Sequence, residues 1–200
     1  MTAPVSGSVT RAIAAIDELN AQDPNTIVRD GSGQPKELAH AQLMTARLLS
    51  LDPSPTDAQL LAARAHHLQR WLLPRGDYPE GRAGYLRWRT AARTRHADDF
   101  GELARACGVP ERTIERAEQI IRKEGLGKDA SVDTHEDCLC LVFFELQSEA
   151  LAGDLADRTP AVVRKTLAKM TDRGVEALLG QVPLAPAVRE LVVDLLDRRP

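Results

Sequence analysis

Residues 54–73, SPTDAQLLAARAHHLQRWLL, decide how this chain is read. Ser54 followed by Pro55 makes an N-cap and first-turn pair, so a helix is predicted to start there and to reach Leu73. At 100° per residue Leu60, Leu61, Leu68, Trp71 and Leu72 share one face, which a core must cover. His67 falls at the edge of that face, four residues before Trp71. His66 points nearly opposite, beside Arg70. Arg64, three residues before His67, also turns inward, which is costly for a guanidinium unless something anionic meets it.

The same period continues on both sides of this segment. Helices are expected from about Ser8 to Leu19, capped by Ser8, and from near Pro35 to about Leu51, ended by the break DPSP. PRGDYPEGRAGY (74–85) is the one long irregular stretch. Further helices are expected from about Arg82 to Cys107, from GVP (108–110) to EGLG (124–127), and from Ser131 onward. TPAVV, DRGVEALL and APAVRELVVDLL read as three shorter ones. No alternating strand pattern stands out, so the fold class is all-α, a single compact helical domain. Its core spans about 35–145, with the C-terminal helices of 159–198 packing on it.

Composition narrows the function. Two hundred residues at 43% hydrophobic content suffice for one sizeable core. A formal net charge of −3 argues against general binding to nucleic acid or a membrane surface, which needs a basic excess. No apolar run approaches the roughly 18 residues that span a bilayer, and MTAPVSGSVTRA lacks the apolar centre of a signal peptide, so a cytoplasmic location is expected. Cys107, Cys138 and Cys140 show no zinc-type spacing; Cys138 and Cys140, within CLCLVFF, read as small core residues.

The chain has five histidines. On the helix ending at Cys107, His96 sits mid-stripe among Tyr85, Ala92, Phe100 and Leu103, and Arg89, seven residues earlier, shares its direction. His40 lies beside Met44 and Leu51, with Glu37 one turn before it. The helix from Ser131 is apolar almost all round, and Asp137 is flanked there by Cys140, Leu141 and Phe144. A single buried histidine is usually just hydrogen-bonded. Three of them with a buried aspartate, on four helices, are satisfied together by one divalent cation. His40, His67, His96 and Asp137 are therefore the expected metal ligands, with His66 in reserve and His135 outside the site. Three imidazoles and one carboxylate suit iron, manganese, zinc, cobalt or nickel better than calcium or magnesium.

The order of these segments resembles the HD-domain superfamily, helical metal-dependent hydrolases named for a His-Asp doublet. ELAHA (37–41), AARAHHLQRW (62–71), RHADDFGELARACG (95–108) and DASVDTHEDCLCLVF (129–143) carry the likeness. The resemblance implies a helical fold with a metal centre. One departure matters: His66–His67 stands where that superfamily has His-Asp. Aligned to the motif, His66 becomes the ligand and His67 the aspartate substitute, whereas the helical face favours His67. Without the carboxylate that can bridge two metals, one metal is expected rather than two. AIDELNAQDPN (15–25), PKELAHAQ (35–42), HLQRWLLPRGDYPEGRAGYLRWR (67–89) and EDCLCLVFFE (136–145) more closely resemble a family of small proteins defined only as a domain of unknown function.

Seven arginines lie between His67 and His96, interleaved with aromatic residues. They make a local anion-attracting surface. A small anionic substrate is expected, held by Arg64, Arg70, Arg75, Tyr78, Arg82, Tyr85 and Arg89, with residues 74–84 as mouth or lid. Arg64 and Arg89 would neutralise developing charge, and Glu37 or Glu136 would take a proton from water. Metal-assisted hydrolysis of a phosphorylated metabolite or nucleotide follows as the first expectation. The alternatives are an HD-like iron oxygenase acting on a small carboxylate or phosphonate, and a non-catalytic helical binding module. A ferritin-like bundle is the rival suggested by Glu37-x-x-His40, but that architecture needs the motif twice and one copy occurs. Monomer and homodimer both remain open. The pattern of APAVRELVVDLLDRR (185–199) fits closure of the protein's own core.

Overall fold

The computed structural model describes residues 6–29 and 31–198. Its α-helices and β-strands, in order, are α1 (Gly7–Asn20), β1 (Thr26–Arg29), β2 (Ser32–Pro35), α2 (Lys36–Leu51), α3 (Asp57–Ala65), α4 (Gly81–Ala106), α5 (Glu111–Arg122), α6 (Ala130–Ala152), α7 (Thr159–Leu167), α8 (Asp172–Gln181) and α9 (Pro186–Asp197), with short 3-10 turns at Arg70–Leu72 and Arg75–Asp77. The mostly helical architecture expected from the sequence is the one observed. Among the described residues no helix is long and apolar enough to cross a membrane.

Four local expectations need correction. β1 and β2 form an antiparallel hairpin, with Thr26 opposite Pro35 and Arg29 opposite Ser32. Its signal was in the Asp-Gly dipeptide at 30–31, a favoured hairpin turn, and Gly31 takes the positive φ such a turn requires. α1 is capped by Ser6, whose hydroxyl accepts from the Val9 N–H, rather than by Ser8. The cap of α3 is Thr56, in a reciprocal capping box with Gln59, and not Ser54. That helix then stops at Ala65, eight residues short of Leu73.

The chain groups into two compact units, Met1–Gly125 and Leu126–Pro200. In the first, α3 packs on α1, α2 and α5, and α5 on α4. Ile16, Met44, Leu61, Leu68, Phe100, Ile114, Ile120 and Ile121 are fully buried there. Gly101 leaves room for the Glu118 carboxylate between α4 and α5, since a Cβ at that position would lie 2.2 Å from Glu118 Oε1. In the second unit α7, α8 and α9 pack on α6, around Leu141, Phe144, Leu167, Leu178, Val188 and Val192. Cys138 and Cys140 are buried there as free thiols, and burial pushes the Cys138 thiol up to about 12.

Candidate metal centre

The N-terminus of α2 is built from outside the helix. Pro35 offers no capping side chain, and the buried Asp23 takes its place, its Oδ2 accepting from the Glu37 N–H at 3.0 Å. Asp23 Oδ1 meanwhile ties the Asn25 N–H at 2.9 Å. Glu37 and His40, one turn apart, are thereby set on a helix whose start is clamped.

Beyond Ala65 the chain leaves the helix in a tight turn, with Gln69 in the left-handed region at φ 47°. This changes the histidine pair. Rather than splitting inward and outward, both turn towards the interior, and His66 is the more buried of the two at 5% exposure. The ring centroids of His66 and His67 are 4.7 Å apart, those of His67 and His40 are 4.1 Å apart and stacked, and His96 stands 6.0 Å from His67. Four of the five histidines thus form one group. The donor atoms of Glu37, His40 and His67 lie within 4.8 Å of one another, a set that could hold a metal ion.

Hydrogen bonds define the protons on these rings. Arg70 can only donate, and its Nη1 lies 3.1 Å from His67 Nε2, so that nitrogen carries a lone pair. The His67 proton therefore sits on Nδ1 and is donated to Glu37 Oε2 at 3.1 Å. His96 Nδ1 donates to the Leu68 carbonyl at 2.9 Å, which leaves Nε2 as a bare lone pair. That Nε2 is buried without a partner, as is His40 Nδ1.

Burial sets the charge states. It lowers His40 to about 3 and His96 to about 4, with the nearby Arg70 charge acting in the same direction, while the Leu68 carbonyl pulls His96 back upward. His67 is held well below the ordinary histidine range by burial and then by its histidine neighbours and Arg70. Glu37 moves the opposite way, raised to about 7 by burial against the pull of Arg70 and Lys36. Neutral imidazoles are the form in which histidine binds metals.

The arginines separate into distinct roles. Arg64 turns inward as expected, but a protein carboxylate meets it: Asp17 accepts from Nε at 2.6 Å and from Nη2 at 2.5 Å. Arg70 lies over the Trp88 indole at 4.7 Å, and no carboxylate of the described residues forms an ion pair with it. Trp88 is fixed in turn by donating to the Leu73 carbonyl at 2.9 Å. Arg89 lies 5.7 Å from the centre of the Tyr85 ring, which is 44% exposed. Arg75 donates to the Tyr78 and Pro79 carbonyls and so orders the 74–80 loop, while Arg82 is exposed on α4; the irregular stretch expected over 74–85 ends at Glu80.

Glu136 and Asp137 belong to the second unit. Glu136 pairs there with Lys169 at 3.5 Å. Asp137 accepts from the Thr171 N–H and hydroxyl at 2.9 and 2.5 Å, while the Thr171 hydroxyl caps α8 through the Gly174 N–H. A Cβ on Gly174 would fall 2.3 Å from Asp137 Oδ1. In this environment the carboxylate anchors the start of α8. The Leu68 carbonyl, Asn20 and Asp23 are absent from the sequence-derived site, because no local pattern links them to the histidines.

Fold and cluster define a mostly helical protein with a buried imidazole and carboxylate centre. The chain belongs to the family described as Domain of unknown function (DUF4202), whose profile matches residues 10–192. No curated protein and no solved structure matches it.

Proposed function

We propose that His40, His67 and His96 hold one divalent transition metal, with Glu37 and His66 beside them. The protein then acts as a metal-dependent hydrolase of HD-domain type on a small phosphorylated metabolite or nucleotide. The observation that carries this reading is His96: its Nδ1 proton is committed to a backbone carbonyl, and its buried Nε2 lone pair has no partner. An orphaned acceptor in a core is unfavourable, and a cation relieves it. The Glu37–His67 hydrogen bond supports the same reading, because a carboxylate on Nδ1 orients the imidazole; Nε2, which accepts from Arg70, would exchange that donor for the ion.

A bound divalent ion would acidify water and polarise a phosphoryl oxygen. The chain's own groups do the rest. Glu37, at about 7, is tuned to take up and release a proton near neutrality. Arg70, held on Trp88 and attracted by Glu37 without an ion pair to any carboxylate of the described residues, is the guanidinium best suited to receive an anion in forked geometry. Arg64, neutralised by Asp17, is not. The substitution of His66–His67 for a His-Asp doublet favours one second reading, an iron-dependent oxygenase acting on a small acid.

Elemental analysis of the protein purified without added metal is the first test. About one transition-metal ion per chain is expected in the wild type, and much less in His40→Ala and His96→Ala. Release of inorganic phosphate from a panel of nucleotides and phosphorylated metabolites, without oxygen, then supports hydrolysis; oxygen consumption with a small acid supports the second reading. A wild type without metal, or one whose metal survives both substitutions, refutes the centre.

A further inference from the structure

α1 ends on Asn20, whose side chain is fully buried. Its Oδ1 accepts a hydrogen bond from the Gln69 N–H at 3.1 Å, while its Nδ2 is buried with no partner. Only the oxygen can face that donor, so the contact dictates the orientation of the amide.

Gln69 is one of two non-glycine residues at positive φ among the described residues. Left-handed backbone is unfavourable for a residue with a Cβ and persists only where the surroundings enforce it. The Gln69 N–H belongs to the same planar peptide unit as the Leu68 carbonyl, and that carbonyl accepts the His96 Nδ1 proton at 2.9 Å. One rigid group is therefore gripped from both sides: Asn20 holds its N–H, and His96 reads its C=O.

We propose that Asn20 is a positioning residue for the histidine centre. By fixing the Leu68–Gln69 peptide plane it keeps the carbonyl turned to His96, which holds the ring proton on Nδ1 and Nε2 bare. Without Asn20 the plane turns over, Gln69 leaves the left-handed region, and His96 loses its acceptor. The consequence for metal rests on the reading of His96 as a ligand; the relay from Asn20 to the His96 tautomer does not.

The test uses nitrogen-15 NMR to identify the His96 tautomer in chelator-treated protein, and competition against a chromophoric chelator to measure zinc affinity. Wild type and Asn20→Asp, which keeps the acceptor, are expected to show a single Nδ1-protonated tautomer. Asn20→Leu should give mixed tautomers and bind zinc roughly 10- to 100-fold more weakly. Adding Gln69→Gly to Asn20→Leu should recover most of both, because glycine adopts the left-handed turn without external support. A folded Asn20→Leu with the wild-type tautomer overturns the proposal. So does a wild-type His96 protonated on Nε2, which needs no variant to detect. If the tautomer follows Asn20 but the wild type binds no zinc or other transition metal, the positioning role stands and the metal centre fails. If zinc binds and the tautomer ignores Asn20, the reverse holds.

Discussion

Glu37→Gln is expected to stabilise the metal-free protein at alkaline pH and to change it little in acid. Glu37 is 4% exposed, and burial raises its carboxyl from 4.5 to about 7, opposed by Arg70 and Lys36 and assisted by Asp23. A carboxyl whose folded pKa lies above its unfolded value contributes stability below 4.5 and loses it as the pH rises through 7. The interval from 4.5 to about 7, at roughly 1.4 kcal/mol per pH unit, comes to about 3 kcal/mol. Glutamine mimics the protonated acid, since its amide oxygen can take the His67 Nδ1 proton in place of Oε2. His40 and His96, lowered to about 3 and 4, lose stability in the opposite direction as the pH falls below 6.5; present in both proteins, they largely cancel in the comparison. Urea unfolding of chelator-treated wild type and variant should therefore give a free-energy difference that grows by about 3 kcal/mol between about pH 4 and about pH 8. A difference that stays flat, or grows towards acid, would refute a buried, proton-holding Glu37.

Three further outcomes follow from the same geometry. Arg64→Met should cost about 1–3 kcal/mol in denaturant unfolding by leaving Asp17 unpaired, with metal content unchanged; intact stability with lost metal would return Arg64 to the centre. Asp137→Ala removes both acceptors used by Thr171 at the start of α8 and should lower stability by about 2 kcal/mol, with amide exchange rising first in α8; unaltered exchange there contradicts its anchoring role. Gly84→Ala would place a Cβ 1.8 Å from the Pro79 carbonyl oxygen, so a loss of about 1–3 kcal/mol and faster exchange across residues 75–84 are expected, and a neutral variant would show that the loop yields freely.

Much of this protein is written in short-range pattern. The 3.6-residue spacing of apolar positions locates the helices, because each helix must turn one face to a core whatever its neighbours are. The same spacing places His96 mid-stripe on α4 and Glu37 one turn from His40 on α2. The hairpin was missed for want of an alternating pattern, although Asp-Gly at 30–31 is a turn signal. Other features had no local signal. Gln69 is an ordinary helix former, and nothing near it announces a left-handed turn; the group that holds it there is Asn20, 49 residues away. That turn ends α3 at Ala65 and brings His66 inward beside His67. Arg64 likewise looked available to a ligand until packing supplied Asp17, 47 residues distant. The sequence by itself determined the helical architecture and offered His40, His67 and His96 as candidate ligands, together with Asp137, which the structure engages at the start of α8. Tertiary structure decided which lone pairs are bare and which charges are already answered, because a hydrogen bond depends on atoms meeting within about 3 Å, and packing sets that meeting across long stretches of chain.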